Sequence, residues 1–218
     1  VVCLAALLVG FIPNTSADDS LQGASTLTEG QSENQYVCYQ NGCSPTDEID
    51  WWKIYAYKGD DVRIDFSGSG SNMIPLIGDG WEADISLHDS NGVQMSSMSR
   101  SDDNSNGFLS KTMNTADWIF IKIKGKDSWF NDGVDYTILA TIDSANRDTD
   151  EDGYIDTEDA CDFIFGTSAY DRKGCLDSDL DGYSDPEQGW VAHPTGSADA
   201  FPYENSQWFD TDGDGYGD

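Results

Sequence analysis

Between residues 51 and 141 the hydrophobic positions recur in short runs with a period of two. Each run is bounded by glycine, asparagine, aspartate or serine. Trp51-Trp-Lys-Ile-Tyr-Ala-Tyr57 gives way to Lys58-Gly-Asp60 and then to Val62-Arg-Ile-Asp-Phe66. Alternation on both sides of a short glycine-bearing break predicts a hairpin with one face inward. Asp84-Ile-Ser-Leu-His88, the turn Asp89-Ser-Asn-Gly92 and Val93-Gln-Met95 predict a second hairpin. Phe108–Met113, Trp118–Lys124 and Val134–Thr141 supply three more strands. No stretch carries a convincing helical period. Short strands at this density, without helices, predict an all-β fold: a β-sandwich, jelly-roll-like, over residues 37–143. Ser67–Asn72 and Ser101–Asn106 read as its loop tips, and 18–36 as a flexible polar leader or an irregular first strand.

After residue 143 the alternation stops, and 144–218 predicts an irregular segment with little regular secondary structure. A different regularity replaces it. Asp148-Thr-Asp150-Glu-Asp152-Gly153-Tyr154-Ile-Asp156 is followed by Asp177-Ser-Asp179-Leu-Asp181-Gly182-Tyr183-Ser-Asp185 and by Asp210-Thr-Asp212-Gly-Asp214-Gly215-Tyr216-Gly-Asp218. Carboxylates at alternate positions followed by glycine let a backbone wrap oxygen ligands around a hard cation. The glycine permits the sharp turn and the next residue offers a carbonyl. The expected cofactor is calcium (Ca2+). Its expected ligands are the aspartates of all three repeats, the carbonyls of Tyr154, Tyr183 and Tyr216, and Asp159 at the twelfth position of the first loop. The second loop has Gln188 at that position, so its last ligand is either Glu187 or Asp199. Asp199-Ala-Phe201 parallels Asp159-Ala-Cys161, and Trp208 parallels Cys175, which suggests a Phe201–Trp208 contact in place of a disulfide.

Charge sharpens this reading. The formal net charge is -30, and residues 148–218 hold 20 of the 41 acidic residues but only Arg172 and Lys173 among the 11 basic ones. Such a segment repels itself open unless cations neutralise it. The field also excludes nucleic acid and anionic membrane surfaces as partners.

Two stretches resemble known families. The spacing D-x-D-x-D-G-x-x-D-x-x-D-x-C at 148–161, with "KGCLDSDLDGYSD" after it, resembles the thrombospondin type-3 repeat. That resemblance implies calcium loops wound around ions and tied by disulfides over 148–218. "DWWKIYAYKGDDVRIDF" at 50–66, "EADISLHDSNG" at 82–92 and "DWIFIKIKG" with "VDYTILATI" at 117–142 resemble the bacterial and archaeal pre-peptidase C-terminal domain. This second resemblance implies a secreted, non-catalytic β-sandwich appended to an exported enzyme or surface protein.

The first residues agree with export. The apolar run Val1–Ile12, then Pro13 and Thr15-Ser16-Ala17, suits the central region of a secretory signal cleaved after Ala17, and is too short for a membrane span. Cys3 falls in that signal. Cys38, Cys43, Cys161 and Cys175 form an even set, and Cys38–Cys43 with Cys161–Cys175 is the simplest of three connectivities. Chemistry for catalysis is not written here. His88 and His193 stand without a nucleophile motif and read as surface residues. The tryptophans fill a core or, with Trp81 and Trp129 as best candidates, form a sugar-stacking platform. The expected function is a calcium-binding, secreted or cell-surface, non-catalytic structural or adhesion protein whose partner is an extracellular polymer, glycan or surface protein. The alternative is an ancillary region of a secreted hydrolase, or a carbohydrate-binding module.

Overall fold

The structure, a computed structural model, describes residues 19–38, 47–70, 81–101, 103–126 and 133–218. Its strands are β1 (Ser25–Thr26), β2 (Ser32–Val37), β3 (Ile49–Ala56), β4 (Asp61–Gly70), β5 (Glu82–His88), β6 (Gln94–Ser101), β7 (Asn106–Thr112), β8 (Asp117–Gly125) and β9 (Val134–Asp143). They form a five-stranded sheet, β1-β3-β8-β5-β6, and a four-stranded sheet, β2-β9-β4-β7. All pairings are antiparallel except the short β1–β3 contact. Leu21–Gly23 is the single helical turn among the described residues, and no helix is long and apolar enough to cross a membrane. The expected all-β sandwich followed by an irregular acidic segment is the observed architecture.

The period-two pattern does what it predicts. Val62, Ile64 and Phe66 of β4, Ile119, Ile121 and Ile123 of β8, and Val134, Tyr136, Ile138 and Ala140 of β9 all point inward and are buried. Ile54, Ile85 and Leu87 join them between the sheets. Each valine, isoleucine, leucine or phenylalanine among them contributes about 1.5–3 kcal/mol by leaving water. One polar chain crosses this core: Trp52 Nε1 donates to the Tyr136 hydroxyl at 2.9 Å, and that hydroxyl donates to buried Asp50. A buried carboxylate is tolerable only when hydrogen-bonded in this way.

Several expectations need correction. Residues 51–57 and 62–66 do not form a hairpin, because β3 and β4 lie in different sheets. Consecutive strands change sheet at every step except β5 to β6, the hairpin predicted at 84–95. Of the two readings of 18–36, a strand is what its end forms: β2 pairs with β9 along its whole length, from Ser32 opposite Leu139 to Val37 opposite Val134. Ser67–Gly70 continues β4 rather than forming a loop tip. Trp81 is a core residue, with its ring beside Phe66 and Gly68, so it cannot serve as an exposed platform. His88 is buried rather than at the surface. Its Nε2 meets Ser86 Oγ at 2.9 Å, its Nδ1 meets the Gly92 carbonyl at 3.0 Å, and Trp51 packs edge-on against it. The signal segment, Cys43 and Trp129 lie outside the described residues; Cys38 is disulfide-bonded.

Candidate metal centre

Each acidic repeat folds on itself through its own amides. The amide of the fifth residue donates to the third carboxylate: Asp152 to Asp150 at 3.1 Å, Asp181 to Asp179 at 3.2 Å, Asp214 to Asp212 at 3.1 Å. The glycine amide donates to the first: Gly153 to Asp148 at 3.2 Å, Gly182 to Asp177 at 2.9 Å, Gly215 to Asp210 at 3.1 Å. The tyrosine amide donates to the fifth: Tyr154 to Asp152 and Tyr183 to Asp181, both at 2.8 Å, and Tyr216 to Asp214 at 2.9 Å. Asp150, Asp179, Asp181, Asp212 and Asp214 each receive one of these amides on Oδ1, which leaves Oδ2 for something else.

In all three loops carboxylate oxygens from the first, third and fifth residues lie within 4.8 Å of one another: Asp148/Asp150/Asp152, Asp177/Asp179/Asp181 and Asp210/Asp212/Asp214. Asp148 Oδ1, Asp150 Oδ2, Asp179 Oδ2 and Asp181 Oδ2 are buried with no hydrogen-bond donor. An orphaned buried carboxylate oxygen is costly, and several together are more so. A divalent cation is the partner that this donor set fits: hard, anionic, all-oxygen and converging. The third loop is the most open, since Asp212 and Asp214 are exposed.

The ninth residue does something else. Asp156 Oδ1 accepts from the Thr149 amide at 2.8 Å and its Oδ2 from the Thr149 hydroxyl at 2.7 Å. Asp185 holds Ser178 in the same way at 3.0 and 2.5 Å, and Asp218 holds Thr211. The ninth amide returns to the residue before the loop: Asp156 to Arg147 and Asp185 to Leu176 at 2.8 Å, Asp218 to Phe209 at 3.1 Å. Asp156, Asp185 and Asp218 therefore close the loops and stand outside the converging triads. A hydroxyl recurs at the second position, Thr149, Ser178 and Thr211. That column is the signal for this role, and a reading of the acidic residues alone passes over it.

The two candidates for the twelfth position of the second loop differ in burial. Glu187 is half exposed and paired with Arg172. Asp199 is wholly buried; its Oδ1 accepts from the Phe201 amide at 2.8 Å, as Asp159 Oδ1 accepts from Cys161 at 2.7 Å. Burial pushes Asp199 up to about 6, helped by the charges of Asp181, Asp179 and Asp185. Burial likewise raises Asp150, Asp159, Asp179 and Asp181, again with neighbouring carboxylates adding to it. Trp208 does not meet Phe201 in a ring contact; it stacks on Tyr183, with centroids 5.5 Å apart and planes 10° apart.

The first loop is fastened to the sandwich. Arg147 grips buried Asp60 with two hydrogen bonds, 2.9 and 3.1 Å, and lies over Tyr57. The Asp148 amide donates to the Lys58 carbonyl at 2.9 Å, while the Lys58 ammonium pairs with Asp148 Oδ2. Glu151 accepts from the Ala116 amide at 2.9 Å. The Cys161–Cys175 disulfide, and the Gly166 amide on Asp152 Oδ2 at 3.2 Å, tie the first loop to the second.

No family model matches this chain, and no curated protein matches it. Solved structures similar to it include the pre-peptidase C-terminal domain of a Bacillus anthracis collagenase, at 10% identity over 54% of this chain and 94% of that one, with a TM-score of 0.37. A periplasmic inhibitor of g-type lysozyme, PliG from Aeromonas hydrophila, shares 10% identity over 55% of this chain and 96% of its own, with a TM-score of 0.34. A CBM4 structure matches 44% of this chain and 61% of that one at 9% identity and a TM-score of 0.33. At these scores the likeness bears on neither family nor function.

Proposed function

We propose that residues 148–218 bind calcium, one ion among each of the triads Asp148/Asp150/Asp152, Asp177/Asp179/Asp181 and Asp210/Asp212/Asp214, with the carbonyls of Tyr154, Tyr183 and Tyr216 as further ligands. The observation that carries this is the convergence of three carboxylates in every loop, joined in the first two loops by buried carboxylate oxygens that no donor satisfies. The ion supplies the positive charge that a self-repelling segment needs, so binding and ordering are one process. Open extracellular sites of this kind bind at about 10⁻⁴ to 10⁻³ M, and magnesium, which demands compact octahedral geometry, competes poorly. The role is non-catalytic: a secreted or cell-surface structural or adhesive protein in which a β-sandwich head carries a calcium-stiffened segment. Calorimetric titration with calcium chloride, reversed by EDTA and followed by limited proteolysis, tests it. Saturable heat and a protease-resistant 148–218 segment are expected. Identical hydrodynamic radius and melting with and without calcium would reject it.

A second reading, binding of an extracellular polymer or glycan by the sandwich, is supported by a groove of about 650 Å³ on the outer face of the four-stranded sheet. Phe108 is half exposed there beneath the Arg63 guanidinium, 3.7 Å from its ring, with Leu139, Asn106 and Arg100 around it. A glycan and polymer screen comparing the wild type with Phe108→Ala tests this reading. Retention of a hit that the variant loses supports it, and a screen without hits counts against it.

A further inference from the structure

The counterpart of Asp159 beside the second loop, Asp199, comes by a detour. In the first loop Asp159 follows Asp156 by three residues; in the second, Asp199 follows Asp185 by fourteen. The intervening chain is an ordered excursion whose ends meet. Glu187 and Trp190 exchange backbone hydrogen bonds at 2.9 and 3.1 Å. The Ala198 amide returns to the Val191 carbonyl at 3.0 Å, and the Asp199 amide to Ser184, inside the second loop, also at 3.0 Å. Trp190 Nε1 donates to Ser184 Oγ at 2.8 Å, and Arg172 lies over the Trp190 ring.

At the end of this excursion Asp199 has no exposed surface, and its Oδ2 has no hydrogen-bond partner. Chain folding has carried a carboxylate into a buried place and left one oxygen unsatisfied, with its amide held by Ser184 of the second loop, which has two further orphaned oxygens, Asp179 Oδ2 and Asp181 Oδ2. Nothing in packing rewards that arrangement. A neutral residue there would relieve both the burial cost and the repulsion from the second loop.

We propose that Asp199 is the fourth carboxylate of the second metal centre, and that residues 186–198 are an element ordered by the ion bound there. The proposal rests on the calcium reading of the triads. It assigns the second centre, beside the Tyr183 carbonyl, a carboxylate set of Asp177, Asp179, Asp181 and Asp199, built from two segments separated by the excursion. The third centre has three carboxylates, its local aspartates, two of them exposed, beside the Tyr216 carbonyl. The second centre therefore fills at lower calcium than the third.

The test is calcium calorimetry on the full chain for the wild type, Asp199→Asn, Asp179→Asn and the Asp179→Asn/Asp199→Asn pair, with Glu187→Gln as control. The Asp199→Asn change keeps the side-chain shape and removes a buried charge, so folding is not endangered. Expected is a weakening of about tenfold or more at one site in Asp199→Asn, the same site that Asp179→Asn removes, and no further loss in the pair. Calcium-induced protection of 186–198 from proteolysis and the calcium-dependent change in Trp190 emission are lost in Asp199→Asn and kept in Glu187→Gln. A titration of Asp199→Asn superposable on the wild type overturns the proposal and leaves the calcium reading standing. So does an Asp199→Asn loss that adds to that of Asp179→Asn. A wild type that takes up no calcium overturns both.

Discussion

Two residues in each acidic loop adopt positive φ. At the fourth position Glu151, Leu180 and Gly213 have φ of 67°, 66° and 75°; at the sixth, Gly153, Gly182 and Gly215 have 106°, 95° and 86°. The sixth position lies where side chains are strained, so alanine there costs about 1 kcal/mol or more. The three glycines differ in their surroundings. A Cβ on Gly153 would meet nothing, whereas one on Gly182 would lie 2.5 Å from the Tyr170 ring. Gly182→Ala should therefore lower the melting temperature of the calcium-loaded protein more than Gly153→Ala, and equal losses would show that the ring gives way freely. Thr149→Val removes the hydroxyl that clamps Asp156 and should cost about 1 kcal/mol, recovered by Thr149→Ser, as read by thermal melting in calcium. Spacing alone identifies the converging aspartates at positions one, three and five. It does not separate them from the ninth, because ligand and clamp are the same residue type and differ only in which donors their oxygens already hold.

Among the elements, the corner between β3 and β4 departs furthest from its sequence reading. Lys58-Gly-Asp60 has the look of a hairpin turn, yet it passes the chain from one sheet to the other. Its buried carboxylate is met by an arginine 87 residues away. No local pattern reports such a partner. Arg147→Met leaves Asp60 charged and buried without its counter-ion and should cost about 3 kcal/mol of sandwich stability, although Arg147 follows the last strand. A denaturant midpoint unmoved from the wild type would show that Asp60 finds another partner. In the acidic segment, pH is the lever. With calcium chelated, the fold holds a proton on Asp199 up to about pH 6, whereas the unfolded chain releases its own near the ordinary 3.8. A raised carboxylate favours the folded state in acid, so this contribution is lost as pH rises from about 4 to 6, on the order of 2–3 kcal/mol. The chelated segment should be more compact and more protease-resistant at pH 5 than at pH 7.5, a difference that shrinks in Asp199→Asn. With calcium present the order reverses, since protons and ion compete for the same oxygens.

For the whole molecule, the alternating strands and the acidic repeat were both legible in the sequence, because each is a local periodicity. The sheet order was not legible, and neither was the union of head and segment, because both depend on contacts between residues far apart. Chelation should separate the two parts thermally. The sandwich, with its continuous core, keeps a cooperative transition, while 148–218 expands and is cut by proteases. Cys161→Ser/Cys175→Ser should enlarge that expansion, since the bridge closes a 14-residue separation worth about 3 kcal/mol.

The seam at Lys58–Gly59 and Asn146–Asp148 has a mechanical consequence. Tension drawn along the acidic segment does not enter the sandwich by peeling β9 from its neighbours. It is met first by the Asp148–Lys58 backbone bridge and by the two-pronged grip of Arg147 on Asp60. These fastenings lie at the fold between the two sheets, so a pull strong enough to break them would extend the tether before any hydrophobic layer is opened to water.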